Sequence, residues 1–233
     1  MHEITQIKRL SLWIFIIPFV AINTCLLISQ NYHFLDNTFF EVDPIGKSGF
    51  TIPYLDGSLS ISRASRTFPQ YLVFKPSMIL TALFLYYYWN NNNKLVNNFN
   101  STKINYKFKT FGILSAIFLA IHSIFLGIKF DIQIYKLSRR VVLLLFIIFE
   151  IIAQGYLVYH FYKLKIKLES YINKKVLMLK LILVSFLAVI GILSLPILVT
   201  SGNTHFKHGL EWNYFVGVIL FYLLSRLFWR RTT

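Results

Sequence analysis

Three polar or charged residues that interrupt long apolar stretches are the first candidates for chemistry in this sequence. His122 lies within one such stretch, Glu150 lies near the middle of the next with Gln154 one helical turn later, and Glu211 opens the last. A charged group at mid-bilayer depth costs several kcal/mol unless it faces a partner or water. We therefore expect each of the three to face a polar partner or water. For Glu150 that partner is His122 or an arginine of the outer loop, and without such a partner we expect the carboxyl to be protonated.

A second candidate is the polar run between residues 53 and 69. Asp56-Gly57 is a turn signal, Ser60 precedes Arg63 by three residues, and Arg66 follows three residues after Arg63. On a helical turn the two arginines project from one face, and a guanidinium pair backed by serine hydroxyls suits a phosphate or carboxylate group. An ordered cap whose arginines pair with lipid or with Asp56 explains the same residues.

The types and spacing of these residues fit several functions and do not by themselves establish catalysis. An intramembrane lipid hydrolase or acyl-transferase would use His122 or His208 as general base, with Asp56 or Glu211 as its partner. A small proton-coupled transporter would use Glu150 and His122 as a proton relay. Both residue types also have purely structural interpretations. His122 would hydrogen-bond a neighbouring helix, and Glu211 would be a first-turn acid that complements the helix dipole.

The sequence predicts neither a metal site nor another cofactor. His205-x-x-His208 in a loop is weak evidence for zinc, and Cys25 is the only cysteine. A glycine-rich phosphate loop, a Gly-x-Ser-x-Gly elbow and a His-Glu-x-x-His helix are all absent from the sequence.

The elements that must position these residues are six long apolar stretches, at about 10–28, 71–89, 108–128, 141–161, 176–199 and 214–229. Each is close to the ~20 residues with which an α-helix crosses a bilayer. Hydrophobic residues make up 56% of the chain and charged residues only 14%, a composition that excludes an ordinary soluble domain. We expect an all-α polytopic membrane protein, with six transmembrane helices in one bundle and a single domain over 1–233.

The connectors differ in character. Residues 30–70 form the longest of them, and residues 90–101 are so rich in asparagine that we expect a solvated linker there. The net charge of +15 is spread over the flanks of the apolar stretches, so it indicates membrane topology and not a nucleic-acid partner. With both termini in the cytoplasm, 15 of the 24 basic residues lie on the inner side, Lys180 among them. This excess follows the positive-inside rule, whereas Arg139 and Arg140 lie on the outer side. The expected location is the cell (inner) membrane of a bacterium or a eukaryotic endomembrane.

This orientation brings several candidates to the outer leaflet. The third stretch then runs outward and the second and sixth run inward, which places His122, His208, Glu211 and the 56–66 run at the same side of the membrane. The resulting hypothesis is an outer-leaflet headgroup pocket. Arg63 and Arg66 hold an anionic group, and three further residues orient it, namely Asp56, His122 and Glu211.

Three short motifs add a resemblance to a known family. The order of Pro53-Tyr-Leu-Asp, then Phe74 at the start of the second stretch, and Glu211-Trp212 at the start of the last resembles the Frag1/DRAM/Sfk1 family, which includes the post-GPI-attachment factor 2 proteins and the N-terminal region of Cwh43. Leu55 replaces the family's serine before the aspartate, and Ser-Arg-Ala-Ser-Arg replaces its usual Pro-Glu stretch. The resemblance implies a multi-pass protein of lipid handling, remodelling or sensing, with membrane lipids as its partners. Other membrane proteins are further candidate partners.

Overall fold

The computed structural model describes residues 2–100, 106–128, 133–200 and 202–230, and the chain is all-α in these ranges. Eight α-helices lie there: α1 His2–Gln30, α2 Pro53–Asp56, α3 Ile61–Ser65, α4 Gln70–Asn100, α5 Lys107–Phe125, α6 Gln133–Lys163, α7 Lys174–Val199 and α8 Thr204–Phe228. Four charged residues that contributed to the predicted orientation lie outside the described residues, namely Lys103, Lys129, Asp131 and Arg231.

Four helices in the described ranges are long and apolar enough to cross a bilayer, at His2–Gln30, Lys107–Phe125, Leu137–Lys163 and Lys174–Ile197. This finding supports an integral, helical membrane protein. α4 and α8 contain the other two predicted spans, and both are more polar. Lys75, Pro76 and the tyrosines at 86–88 lower the hydropathy of α4, and α8 opens with histidine, lysine and glutamate residues.

The six long helices of the described chain pack as a closed ring. α1 packs against α4, α4 against α5, α5 against α6, α6 against α7, α7 against α8, and α8 again against α1. The core is rich in large aromatic side chains that are fully buried, among them Trp89, Trp212, Tyr88, Tyr222 and Phe221. The ring defines two ends: the one that carries the 30–70 segment and the one where α1 begins and α8 ends, which we call the terminal end.

The expected solvated linker after residue 89 is wrong. α4 continues to Asn100, and three of its asparagines, at positions 91–93, are buried. Their amides find partners inside the bundle: Asn91 donates to Gln6 Oε1 at 3.0 Å, Asn92 donates to the Tyr88 carbonyl at 2.8 Å, and Asn93 accepts from the Tyr106 backbone at 3.0 Å. Hydrogen bonding to packed neighbours, which composition does not reveal, keeps these polar residues in the helix.

The 30–70 segment folds back on the end of α1. The Ser29 hydroxyl donates to the Gly46 carbonyl, and the Gln30 amide donates to the Thr51 carbonyl at 2.5 Å. The short helices α2 and α3 lie in this segment and pack against α8, and α3 also packs against α1 and α4. The segment is therefore a folded cap on one end of the bundle.

Candidate functional sites at the 30–70 segment and in the core

The Asp56 carboxylate organises its own turn. It accepts hydrogen bonds from the backbone N–H of Ser58 at 2.8 Å and of Ile52 at 2.9 Å, and from the hydroxyls of Ser58 and Thr51 at 2.8 Å. These donors, the Ser58 N–H first among them, hold the pKa of Asp56 well below its usual value although the side chain is exposed. Asp56 thus shapes the turn, and its described bonds are not to Arg63 or Arg66.

The turn docks on the first half of α8. Gly57 ends α2 in the left-handed conformation, with φ of 59°, and its Cα lies close to Gly209. Four side chains of α8 reach backbone carbonyls of the turn: His205 Nδ1 to Asp56 at 3.2 Å, His208 Nδ1 to Gly57 at 3.0 Å, Trp212 Nε1 to Leu59 at 2.7 Å, and Asn213 Nδ2 to Tyr54 at 2.7 Å. The 53–59 turn is therefore a built interface with α8.

These contacts bear on the hydrolase hypothesis. A carbonyl only accepts, so Nδ1 of both His205 and His208 carries the proton. Among the described contacts, neither ring bonds a carboxylate of Asp56 or Glu211. In the described ranges, His205 and His208 therefore hold the turn against α8 and do not form a His–carboxylate pair with Asp56 or Glu211.

Glu211 meets the start of α3. Its carboxyl faces the backbone N–H groups of Ile61 and Ser62. Ser60 precedes them and caps α3, because its hydroxyl accepts a hydrogen bond from the Arg63 N–H at 3.1 Å. Glu211 precedes the predicted span 214–229. Burial raises the pKa of Glu211 to about 7, and the two N–H groups only partly offset that effect.

We expect Glu211→Gln to remove a pH dependence of stability. Because the folded-state pKa lies above the ordinary value of 4.5, the contribution of Glu211 to the stability is fully present below pH 4.5 and is lost as the pH rises through 7. For a partly buried carboxyl this corresponds to about 2 kcal/mol. Thermal unfolding of the purified protein between pH 4.5 and pH 8 measures it, with the exposed Glu41→Gln as control. Parallel curves for wild type and Glu211→Gln would contradict the expectation.

Arg63 on α3 and Arg139 on α6 both lie within electrostatic reach of Arg66. Arg63 is exposed and its Nε donates to the Ile45 carbonyl at 3.2 Å, whereas Arg66 is half-buried. Burial lowers the pKa of Arg66, and the positive charges of Arg139 and Arg63 lower it further, against the opposing effect of Asp43. The sequence did not propose Arg139 as a site residue, although its departure from the positive-inside trend was a signal.

His122 lies beside this arginine cluster, which we define as Arg63, Arg66 and Arg139. A cavity of about 260 Å³ opens between α5 and α6, lined by Ile121, His122, Phe125, Ser138, Arg139 and Val142. His122 is 8% exposed, and its Nδ1 atom has no hydrogen-bond partner among the described residues. The structure thus places His122, Arg63 and Arg66 at one end of the bundle. Arg139 belongs both to the arginine cluster and to the wall of the cavity.

Glu150 lies in the core and not in that cluster. The expected pairing with His122 or an arginine is wrong, because Glu150 accepts from the Ser115 hydroxyl at 2.5 Å, from the Gln154 amide at 3.0 Å and from the Tyr222 hydroxyl. The side chain is fully buried. Within the described part of the chain, three donors on three helices therefore satisfy the carboxyl without a direct cation.

Lys180 is the functional candidate that sequence reasoning missed. The predicted orientation counts it among the basic residues of the inner side, but it is fully buried. Its Nζ donates to the Ser225 hydroxyl at 2.9 Å and lies over three phenylalanine rings, at 4.1 Å from Phe221, 5.1 Å from Phe228 and 5.8 Å from Phe161. Its position six residues into α7, within an apolar stretch, was the available signal.

The described residues contain no group of three or more histidine, cysteine, aspartate or glutamate side chains that could hold a metal ion. No family model matches the chain, and no curated protein or solved structure matches it either.

Proposed function

We propose that the protein is a multi-pass membrane protein of lipid handling that binds an anionic lipid headgroup at the arginine cluster. The observation that carries this proposal is that Arg139 lines the cavity together with His122, while Arg63 and Arg139 both lie within electrostatic reach of Arg66. An anion bound beside Arg66 is attracted by the positive charges of Arg63, Arg66 and Arg139. Guanidinium groups are also the cations best suited to a phosphate, because they can donate two parallel hydrogen bonds.

The surroundings of the cluster favour a lipid over a soluble anion. Ile121, Phe125 and Val142 supply most of the remaining cavity wall, so an apolar chain attached to the anion has a surface to lie on. Phe125 and Val142 belong to helices that are apolar enough to cross a bilayer. A ligand with a negative headgroup and an acyl chain matches both parts of the site.

The membrane arrangement that accompanies this function has six spans and cytoplasmic termini. In it α4 and α8 also cross the bilayer, which the closed ring of six packed helices supports. The cluster then lies at the outer leaflet, and the motifs Pro53-Tyr-Leu-Asp and Glu211-Trp212 lie in one docked interface between the turn and α8. A relationship to the Frag1/DRAM/Sfk1 family is part of the same proposal, as are membrane-protein partners.

Mass spectrometry of lipids retained by the detergent-purified protein tests the proposal. We expect Arg139→Gln, and Arg63→Ala with Arg66→Ala, to reduce retention of anionic phospholipid roughly tenfold, since a hydrogen bond to a charged group contributes about 1.5–3 kcal/mol. Arg140→Gln is the matched control, because Arg140 is exposed and adjacent to Arg139. A competition with inorganic phosphate separates a phosphate site from a lipid site. Equal retention in Arg139→Gln and wild type, or equal loss in Arg140→Gln, would refute lipid binding at the cluster.

A further inference from the structure

The cap that the 30–70 segment forms carries an exposed aromatic surface. Phe39 is 86% exposed and Phe40 is 49% exposed, although both side chains are large and apolar. Their rings pack edge to face with centroids 5.4 Å apart, and each ring also packs on Phe68 at 6.2 Å. Phe68 in turn contacts the ring of Tyr71 at 6.0 Å. We call these four side chains the aromatic ladder.

Hydrogen bonds fix the exposed end of the aromatic ladder in one conformation. The Thr38 hydroxyl donates to the Leu35 carbonyl at 2.7 Å and accepts from the Phe40 N–H at 3.2 Å. The Asp43 N–H donates to the Phe68 carbonyl at 3.1 Å, which ties the turn to the start of α4. The two exposed phenylalanines therefore belong to a bonded turn. Clusters of exposed apolar side chains mark sites of contact with proteins or membranes.

The Tyr71 end of the aromatic ladder is continuous with the surface of the helical bundle. Lys75 lies over the Tyr71 ring, with Nζ 5.3 Å from the ring centroid, and Nζ also donates to the Ile124 carbonyl at 3.2 Å. Ile124 belongs to α5, a helix that is long and apolar enough to cross a bilayer, and its side chain is exposed there. The ladder thus leads from the cap to a surface of the kind that lipid covers.

The chemistry of the cap fits the edge of a bilayer. Aromatic side chains are enriched where a membrane meets water, and lysines there lay their apolar stems along apolar surface. The charged residues of the same segment form a separate group, in which Asp36 and Glu41 both pair with Lys47, at 3.0 and 3.6 Å. Division into an apolar group and a charged group is typical of an element that lies on a membrane surface.

We propose that the aromatic ladder is a lipid-contact surface that lies in the leaflet at this end of the bundle. Its partner is the apolar part of the lipid, so the contact requires no particular headgroup. The cap then rests on the bilayer beside the end of α5, with the Lys47 group on its polar side. This contact goes beyond headgroup binding at the arginine cluster and does not depend on it.

Spin labelling in nanodiscs of phosphatidylcholine, a lipid without net charge, tests this contact separately from the arginine cluster. Cys25 is the only cysteine and is buried, so Cys25→Ser provides a background for single labels. We expect a label at Phe39→Cys to be about tenfold less accessible to a water-soluble nickel chelate than one at Glu41→Cys, as a partitioning difference of ~1.4 kcal/mol gives. Glu41 is the matched control, because it is exposed in the same segment but belongs to the charged group.

Two results of this experiment would overturn the proposal. Equal nickel accessibility at the two positions would show that the aromatic ladder lies in water. Dipolar broadening between labels at position 39 would show that a second copy of the chain covers the ladder in place of lipid.

Tryptophan fluorescence provides a second measurement that keeps an aromatic ring in the ladder. The chain already contains four tryptophans, so the wild-type signal is subtracted. The signal that Phe39→Trp adds should be quenched by phosphatidylcholine with brominated acyl chains, and the signal that Glu41→Trp adds should not be. Equal quenching of the two added signals would contradict immersion of the ladder.

Discussion

Replacing Gly57 with alanine is expected to detach the 53–59 turn from α8 and to destabilise the protein by about 3 kcal/mol. Two effects add. The left-handed conformation of Gly57, with φ of 59°, is unfavourable for any residue with a Cβ atom. In addition, that Cβ atom would overlap the backbone carbonyl of His205, which cannot move without disturbing the start of α8.

Thermal unfolding and limited proteolysis measure this effect. Detachment exposes the turn, so a protease should cut near residue 57 faster in Gly57→Ala than in wild type. Gly49→Ala is the matched control in the same segment, because its Cβ atom meets no other atom within 4 Å and its φ is not positive. Equal stability of the two variants would show that the turn does not depend on close approach to α8.

A second large effect is expected from Gly112→Ala in α5. The added Cβ atom would overlap the indole ring of Trp89, which is fully buried in α4. Overpacking of this kind costs about 2 kcal/mol. Because α4 and α5 are neighbours in the ring of helices, the strain acts on the α4–α5 contact itself.

Gly155→Ala controls for the change in helix propensity that accompanies any glycine-to-alanine substitution. Its Cβ atom would meet Val184 at 3.7 Å, an ordinary van der Waals distance. We therefore expect Gly155→Ala to be neutral or slightly stabilising and Gly112→Ala to lower the unfolding temperature. If both variants unfold at the wild-type temperature, Trp89 has room to shift and the α4–α5 packing is looser than the structure indicates.

Gly57 and Gly112 both lie where two parts of the chain pack closely. The 53–59 turn and the arginine cluster depend on such close packing as well. The 53–59 turn bonds α8 through backbone carbonyls of Asp56, Gly57 and Leu59, and these contacts join residues about 150 positions apart in the chain. The arginine cluster depends on the same cap, since Arg63 and Arg66 belong to α3 and its end, the next element along the chain. Loss of the docked turn should therefore also weaken lipid retention.

The helices and turns that depend only on neighbouring residues could be predicted from the sequence. The lengths of the apolar stretches predicted long helices. The Asp56-Gly57 turn, the spacing of Arg63 and Arg66, and the position of Ser60 before them are local features as well. Each of these rests on backbone geometry over three to four residues or on the length of an apolar run, and both can be read from the sequence.

The partners of the buried polar groups were decided by the tertiary structure. Glu150 meets Ser115 and Tyr222, which are 35 and 72 residues away, and Lys180 meets Ser225, which is 45 residues away. Helical periodicity says which residues share a face of one helix, but not which helix that face will meet. The packing of the six helices decides which faces meet, so it decides the partners of Glu150 and of Lys180 and brings Arg139 within electrostatic reach of Arg66.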